Sequence, residues 1–262
     1  MKYPILENKN AADDSVFDPK ALLREARRQK GLAPADVPKI CVLDPDGDIV
    51  RRLRASGRAS TFAAWPCYHS ELDVFMLAGH EIGIVGRVVG APYAVLVAEE
   101  LFALGCELLV SITSAGQVNP AGAPPYFVVI DRALRDEGTS YHYVAPAQFA
   151  EADPEMVMLG RKAVSAAGLP EIVGASWTTD APFRETAAAL EAARTLGILT
   201  VEMEAAALYG FAAAKGASVL CFAHVTNMMG QADIDFEKGE GDGTHASLAL
   251  IESVVRLAAE QA

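Results

Sequence analysis

Val201-Glu202-Met203-Glu204-Ala205-Ala206-Ala207 sets two carboxylates two positions apart, where an apolar run gives way to an alanine-rich one. Residues 198–202 read as a short strand and 203–215 as a helix, so both acids fall at a strand-to-helix junction. Charged side chains are rarely set in such apolar surroundings without partners. The positive end of a helix dipole favours one glutamate there. It does not account for two flanking a methionine at a strand end. Carboxylates in that position can accept hydrogen bonds from vicinal sugar hydroxyls.

Outward from this junction the same alternation repeats. Residues 39–44 (KICVLD) and 107–113 (ELLVSIT) are apolar almost throughout, the mark of strands covered on both faces. Further strands are expected at 127–131, 172–178 and 218–226. Residues 72–78 and 81–89 flank Gly79-His80, which reads as a two-residue hairpin turn. Helices are expected at 18–31, 92–104, 154–167, 184–196 and 244–259. Asp18 and Asp153 stand as caps before a first-turn proline, and Gly31, Gly105 and Gly168 as stops. The alternation predicts an α/β fold: a single domain with a central mixed β-sheet flanked by helices. Residues 1–38 read as an N-terminal helical extension closed by a proline-rich joint, and 39–262 as the main domain.

The 262 residues carry 34 acidic and 22 basic side chains, so the formal charge is 22 − 34 = −12. Such a balance excludes a dedicated nucleic-acid binder, which needs a basic surface to neutralise phosphates. No apolar run reaches the ~20 residues of a membrane span, and the amino terminus has no signal pattern. The expectation is a cytoplasmic protein with no membrane partner. Cys41, Cys67, Cys106 and Cys221 are widely spaced and read as free, buried thiols. No two histidines have metal-ligand spacing, so no metal is expected. The cluster Arg24, Arg27, Arg28 and Lys30 reads as a solvated face or subunit contact.

Two polar, glycine-rich loops, 114–125 and 227–243, leave core strands at the end where ligands collect in open α/β sheets. Here the sequence resembles the nucleoside phosphorylase family, which includes uridine and purine nucleoside phosphorylases and the related nucleosidases. The resemblance rests on Val-Glu-Met-Glu-Ala-Ala and on a following strand that ends Val225-Thr226-Asn227. Val89-Gly90-Ala91-Pro92, Ser114-Ala115-Gly116, the stretch 138–143 (GTSYHY) and the loop 179–186 (TDAPFRET) agree in order and spacing. It covers about residues 39–260 and is closest in character to uridine phosphorylases, with an altered phosphate site.

The resemblance implies cleavage of an N-glycosidic bond, by phosphorolysis to free base and (deoxy)ribose 1-phosphate. Glu204 would bind the ribose hydroxyls and act in catalysis, with Glu202 assisting and Met203 packing on the sugar. Asn227 would face the leaving base, where purine-cleaving members carry an acidic aspartate. Gly90, Ser114, Asp44 and Arg87 would line the phosphate position, and Thr179, Asp180, Phe183 and Arg184 the base. His69 would enter a neighbouring subunit's site. The implied partners are a nucleoside and further copies of the chain in a dimer, trimer or hexamer, with inorganic phosphate as co-substrate and no cofactor.

The chain departs from the family at the phosphate. The usual Gly-Asp-Pro-x-Arg reads Leu43-Asp44-Pro45-Asp46-Gly47, and a second phosphate arginine is replaced by Ser111. Arg87 either restores the lost charge or pairs with a local carboxylate. If water replaces phosphate, Asp44, Asp46 or Asp48 could orient it. A homologue that binds nucleosides without cleaving them is the third alternative.

Overall fold

The computed structural model describes residues 3–11, 13–229 and 238–260. Among these are ten strands: β1 (Ile40–Asp44), β2 (Ala59–Thr61), β3 (Asp73–Leu77), β4 (His80–Gly86), β5 (Leu108–Gln117), β6 (Tyr126–Asp136), β7 (Phe149–Glu151), β8 (Val173–Thr179), β9 (Thr200–Glu202) and β10 (Ser218–Met228). The helices are α1 (Pro19–Lys30), α2 (Asp48–Ala55), α3 (Ala91–Ala103), α4 (Pro154–Ala166), α5 (Ala187–Thr195), α6 (Ala205–Lys215) and α7 (Thr244–Ala259). None is long and apolar enough to cross a membrane.

All ten strands join one mixed sheet, as the alternation predicts. Its order is β10-β6-β8-β9-β5-β1-β4-β3-β2, and β10 also pairs with β5. Five strands therefore close into a ring, and the remaining strands extend from it as an open wing. β5 is the hinge of this arrangement. One edge pairs with β10 along its length; the other meets β1 through residues 108–111 and β9 through Gly116 and Gln117. A strand with neighbours on both edges and cover on both faces has to be apolar, and Leu109 and Val110 have no exposed surface. Helices α3 and α6 pack one side of the sheet, with Leu23 of α1 joining that core, while α2, α4 and α7 pack the other.

The caps are where the sequence puts them. Asp18 accepts from the amides of Lys20 and Ala21, Asp153 from that of Glu155, and Gly31 ends α1 in the left-handed conformation. Two expectations are corrected, and one helix is added. The hairpin turns on Ala78-Gly79 rather than Gly79-His80, with both residues at positive φ (51° and 84°). Closing a two-residue turn that matches the strand twist requires left-handed backbone at both positions. Residues 48–55, to which the sequence reading assigns no element, form α2, whose buried stripe is Ile49, Val50 and Leu53. Ser114-Ala115-Gly116, taken as the start of a loop, continues β5, because ring closure supplies pairing out to Gln117. Of the second polar segment, 227–243, residues 230–237 lie outside the described residues.

Candidate active site

The 202–204 junction is built to satisfy a buried helix end. The first amides of α6 have no partners within the helix, and Glu204, Ala205 and Ala206 are buried. Glu202, 3% exposed, points its carboxylate at this end and accepts from the amides of Glu204 and Ala205, both at 2.7 Å. Its other oxygen accepts from the hydroxyls of Ser176 (3.1 Å) and Thr178. Thr178 in turn accepts from the amide of Ala206 at 2.9 Å. Four donors occupy Glu202, which is about what a carboxylate can accept.

Glu204 is 1% exposed and more lightly engaged. One oxygen accepts from the amide of Gly90 (2.7 Å), the other from the hydroxyl of Thr113 (2.9 Å). Gly90 adopts φ +92° ahead of α3, a backbone region that favours glycine, and this turns its N–H onto the carboxylate. Burial, and then the charge of Glu202, push Glu204 up to about 8, against the pull of the Gly90, Thr113 and Met203 donors. Glu202 is likewise raised by burial, opposed by its four hydrogen bonds. Thr113, invisible as a motif, joins the site because β5 runs on past β1.

A second acidic group sits at the end of β1. Asp44, 2% exposed, accepts from the amides of Val50 (2.9 Å) and Gly47 (3.2 Å), and burial pushes it up to about 7. The carboxylate of Asp44 thus holds both amides. Asp46 accepts from the Ser114 hydroxyl. Lys238 reaches both Asp46 (3.1 Å) and Asp48 (2.7 Å), bringing a cation that no motif announced. His224 pairs in register with Ser114 and stacks on Phe127 with ring centroids 4.5 Å apart. Burial lowers His224 to about 4, so it stands as a neutral core histidine.

The remaining candidates are dispersed around these two groups. Asn227 sits opposite Gly116, just after a register shift between β10 and β5, and its amide nitrogen lies 3.6 Å from the Met229 sulfur. Such a bulge re-aims the side chain that follows it. Met203 is half-buried. Thr179 accepts from the Ala181 amide, and Asp180 accepts from the Gly138 amide at 2.8 Å, tying the 179–186 loop to the 138–143 stretch. Phe183 is 99% exposed and Arg184 is exposed.

Arg87 and His69 line a cavity whose lining does not include Ser114. Arg87 makes no ion pair among the described residues. Its aliphatic stem passes Gly47, where a Cβ would come within 2.8 Å of the Arg87 Cγ. The two residues share the lining of a 690 Å³ cavity bounded by α2, residues 69–73 and the turn before α3.

The comparisons agree with this architecture. The profile of the phosphorylase superfamily matches residues 39–262. The uridine phosphorylase of Thermococcus kodakarensis is 27% identical over 221 residues, covering 76% of this chain and 78% of that protein. The DeoD-type purine nucleoside phosphorylase of Tolumonas auensis is 30% identical over 153 residues, 57% of this chain and 64% of that one. Its counterpart from Proteus mirabilis is 29% identical over 151 residues, 57% and 63% respectively, so this chain spans just under two thirds of these two relatives. Together with a mixed sheet flanked by helices and a Glu-Met-Glu junction at its core, the match over 39–262 establishes that the chain belongs to the phosphorylase superfamily, among the nucleoside phosphorylases.

Proposed function

We propose that the protein cleaves the N-glycosidic bond of a nucleoside, with inorganic phosphate as the nucleophile. The observation that carries this reading is the unequal engagement of the two glutamates. Glu202 is spent on the helix end and its neighbouring hydroxyls, so it positions. Glu204 keeps acceptor capacity beyond its Gly90 and Thr113 partners and is the carboxylate suited to a vicinal diol. As the C1′–N bond breaks, its electron pair leaves with the base and positive charge develops on the ribose ring. An ionised Glu204 fixed nearby stabilises that charge without reorganising. Met203 supplies the apolar wall of the sugar. Asn227 offers a hydrogen bond rather than a proton to the departing base. The 179–186 loop, with Thr179, Asp180, Phe183 and Arg184, is our candidate for base recognition.

The nucleophile enters at the Ser114 corner in this reading, between β1 and β5. Lys238 supplies the cation there that Gly47 and Ser111 do not. The new bond is C1′–O, formed with a phosphate oxygen to give the pentose 1-phosphate. A second reading, hydrolysis, is favoured by one observation: the Asp46 carboxylate already holds the Ser114 hydroxyl, where it can equally accept a proton from water. Homo-oligomers with exposed His69 reaching a neighbouring site remain part of the proposal, as the relatives' class suggests.

Base release from uridine, inosine and adenosine, with and without phosphate, tests both readings. Phosphorolysis predicts turnover that rises with phosphate and yields pentose 1-phosphate. Equal rates in phosphate-free buffer would replace it with hydrolysis. Absence of release from every nucleoside, combined with tight nucleoside binding, would make the protein a binder.

A further inference from the structure

The positive charge near the candidate site lies in two places, linked through Asp48, which pairs with both Lys238 and Arg51. Lys238 belongs to the Ser114 corner and is matched there by Asp46 and Asp48. Arg87 belongs to the 690 Å³ cavity, which is also lined by Arg51, Arg54, Glu71, Asp73, His69 and Tyr93; Ser114, Asp46, Lys238 and Asn227 are not among its lining residues. The charges in that cavity are unequal in their commitments. Arg51 pairs with Asp48 (2.8 Å) and Asp242 (2.9 Å), and Arg54 with Glu71 (2.7 Å) and Asp73 (2.8 Å). The Tyr93 hydroxyl donates to the backbone carbonyl of His69 at 2.7 Å, which keeps its oxygen open as an acceptor. Arg87 is left as the cavity's unpaired guanidinium among the described residues.

Its backbone is unusual as well. Arg87 has φ +63° in a non-glycine residue, held there by an amide that donates to the Asp44 carbonyl at 2.8 Å. Left-handed backbone is unfavourable for a side chain of this size and persists only where the surroundings impose it. Gly47 keeps the space beside the arginine stem clear. The result is a planar, permanently charged fork held over a polar cavity, three residues before the glycine whose amide fixes Glu204.

We propose that this cavity is a phosphoryl subsite seated on Arg87, and that it takes the 5′-phosphate of a nucleoside monophosphate. The inference rests on the reading of Glu204 as the ribose anchor. A phosphate that attacks C1′ must lie against the sugar ring, at the Ser114 corner. A phosphate esterified at O5′ is carried several bonds away from C1′ and needs a separate pocket. A cavity of this volume also has the size of a small-molecule pocket, and it offers more room than a free phosphate fills. The guanidinium fork matches two phosphoryl oxygens at once.

The test compares uridine and adenosine with their 5′-monophosphates, using base release by the full chain and its Arg87→Ala and Arg87→Lys variants. The expected result is a higher kcat/KM for a monophosphate than for its nucleoside. Arg87→Ala should then cost the monophosphate about 10- to 100-fold more in KM than the nucleoside, as loss of a charged hydrogen-bonding pair does. Arg87→Lys should recover part of that loss. An equal effect on both substrates, or an effect confined to the KM for inorganic phosphate, would overturn the proposal, the latter by assigning Arg87 to the nucleophile. If none of the four compounds is cleaved, the catalytic reading fails, and calorimetric binding of ribose 5-phosphate against ribose still decides the subsite. Tighter binding of ribose 5-phosphate that disappears in Arg87→Ala supports it, and equal binding refutes it.

Discussion

The carboxylates at 202–204 and those at 44–48 crowd the ends of strands in one sheet, yet the fold treats them in opposite ways. Glu202 and Glu204 are enclosed and meet only neutral donors: amides and hydroxyls. Asp46 and Asp48 are reached by Lys238, and Asp48 by Arg51 as well. Neutral donors satisfy a carboxylate's lone pairs without cancelling its charge. Once ionised, the first pair therefore keeps its negative potential, which the proposed reading directs at a cationic ring, whereas the second spends it on local cations. Asp44 is intermediate, buried like the glutamates but bound by the turn it organises.

This contrast can be broken most directly at Glu204. Glu204→Ala should lower kcat/KM by roughly 10²–10³-fold, the scale of losing one fixed electrostatic stabiliser, with circular dichroism unchanged. Turnover within tenfold of wild type would mean that the junction is structural only. Glu202→Ala should instead strike stability, because two helix amides and two hydroxyls lose their acceptor. The expected cost is about 2–4 kcal/mol in urea unfolding, and Glu202→Gln should recover part of it. A stable Glu202→Ala enzyme with a specifically raised nucleoside KM would move Glu202 into direct contact with substrate.

Asp46→Asn sharpens the other side. It removes a charge that competes with phosphate for Ser114 and Lys238, so the KM for phosphate should fall several-fold. Loss of roughly 10²-fold in phosphate-free turnover, the scale of a general base, would be the opposite signature and would identify water as the nucleophile.

Protonation gives a smaller and more diagnostic effect. Glu204 rests near 8 and Asp44 near 7 in the folded protein, both raised from ordinary carboxylate values by burial. A group raised on folding contributes stability that is full below its unfolded pKa and is lost as pH rises through the folded one. The urea midpoint should therefore decline between about pH 5 and pH 9. Asp44→Asn should flatten the lower part of that decline and Glu204→Gln the upper. Over the same range kcat/KM should climb towards pH 8 as Glu204 ionises, so activity rises while stability falls. The smallest effect belongs to Thr113→Val, which removes one donor from Glu204 and should move the midpoint of the pH–rate profile upward by about half a unit to one unit. An unmoved midpoint would detach the profile from Glu204.

Much of this was legible in the residues because it is local. Helix α7 spans the predicted 244–259, and Asp18 caps α1 as its position before Pro19 implies. The Glu-Met-Glu junction announced itself by placing charge in an apolar context. What escaped detection depended on distant pairing. Helix α2 is short and follows the turn chemistry of Asp46-Gly47-Asp48, so its apolar spacing, Ile49, Val50 and Leu53, gives only a weak signal. Thr113 became a ligand of Glu204 only through the extension of β5. Lys238 is 190 residues from Asp48 and has no motif around it. A lone lysine in a glycine-rich segment gives no sign of where its ammonium group will rest.

The double membership of β5 has a consequence for how such a protein can change. Because β10, β1 and β9 all fix its register, the strand works as a common ruler for two workshops, with Thr113 marking one and Ser114 the other. A shift of one residue would misplace both marks together and is excluded. The turn of residues 45–47 carries no such burden. In the proposed reading the chemistry at positions 45 and 46 can be exchanged, from acidic to cationic or back, while the sugar end stays in calibration and Gly47 is kept for the Arg87 stem.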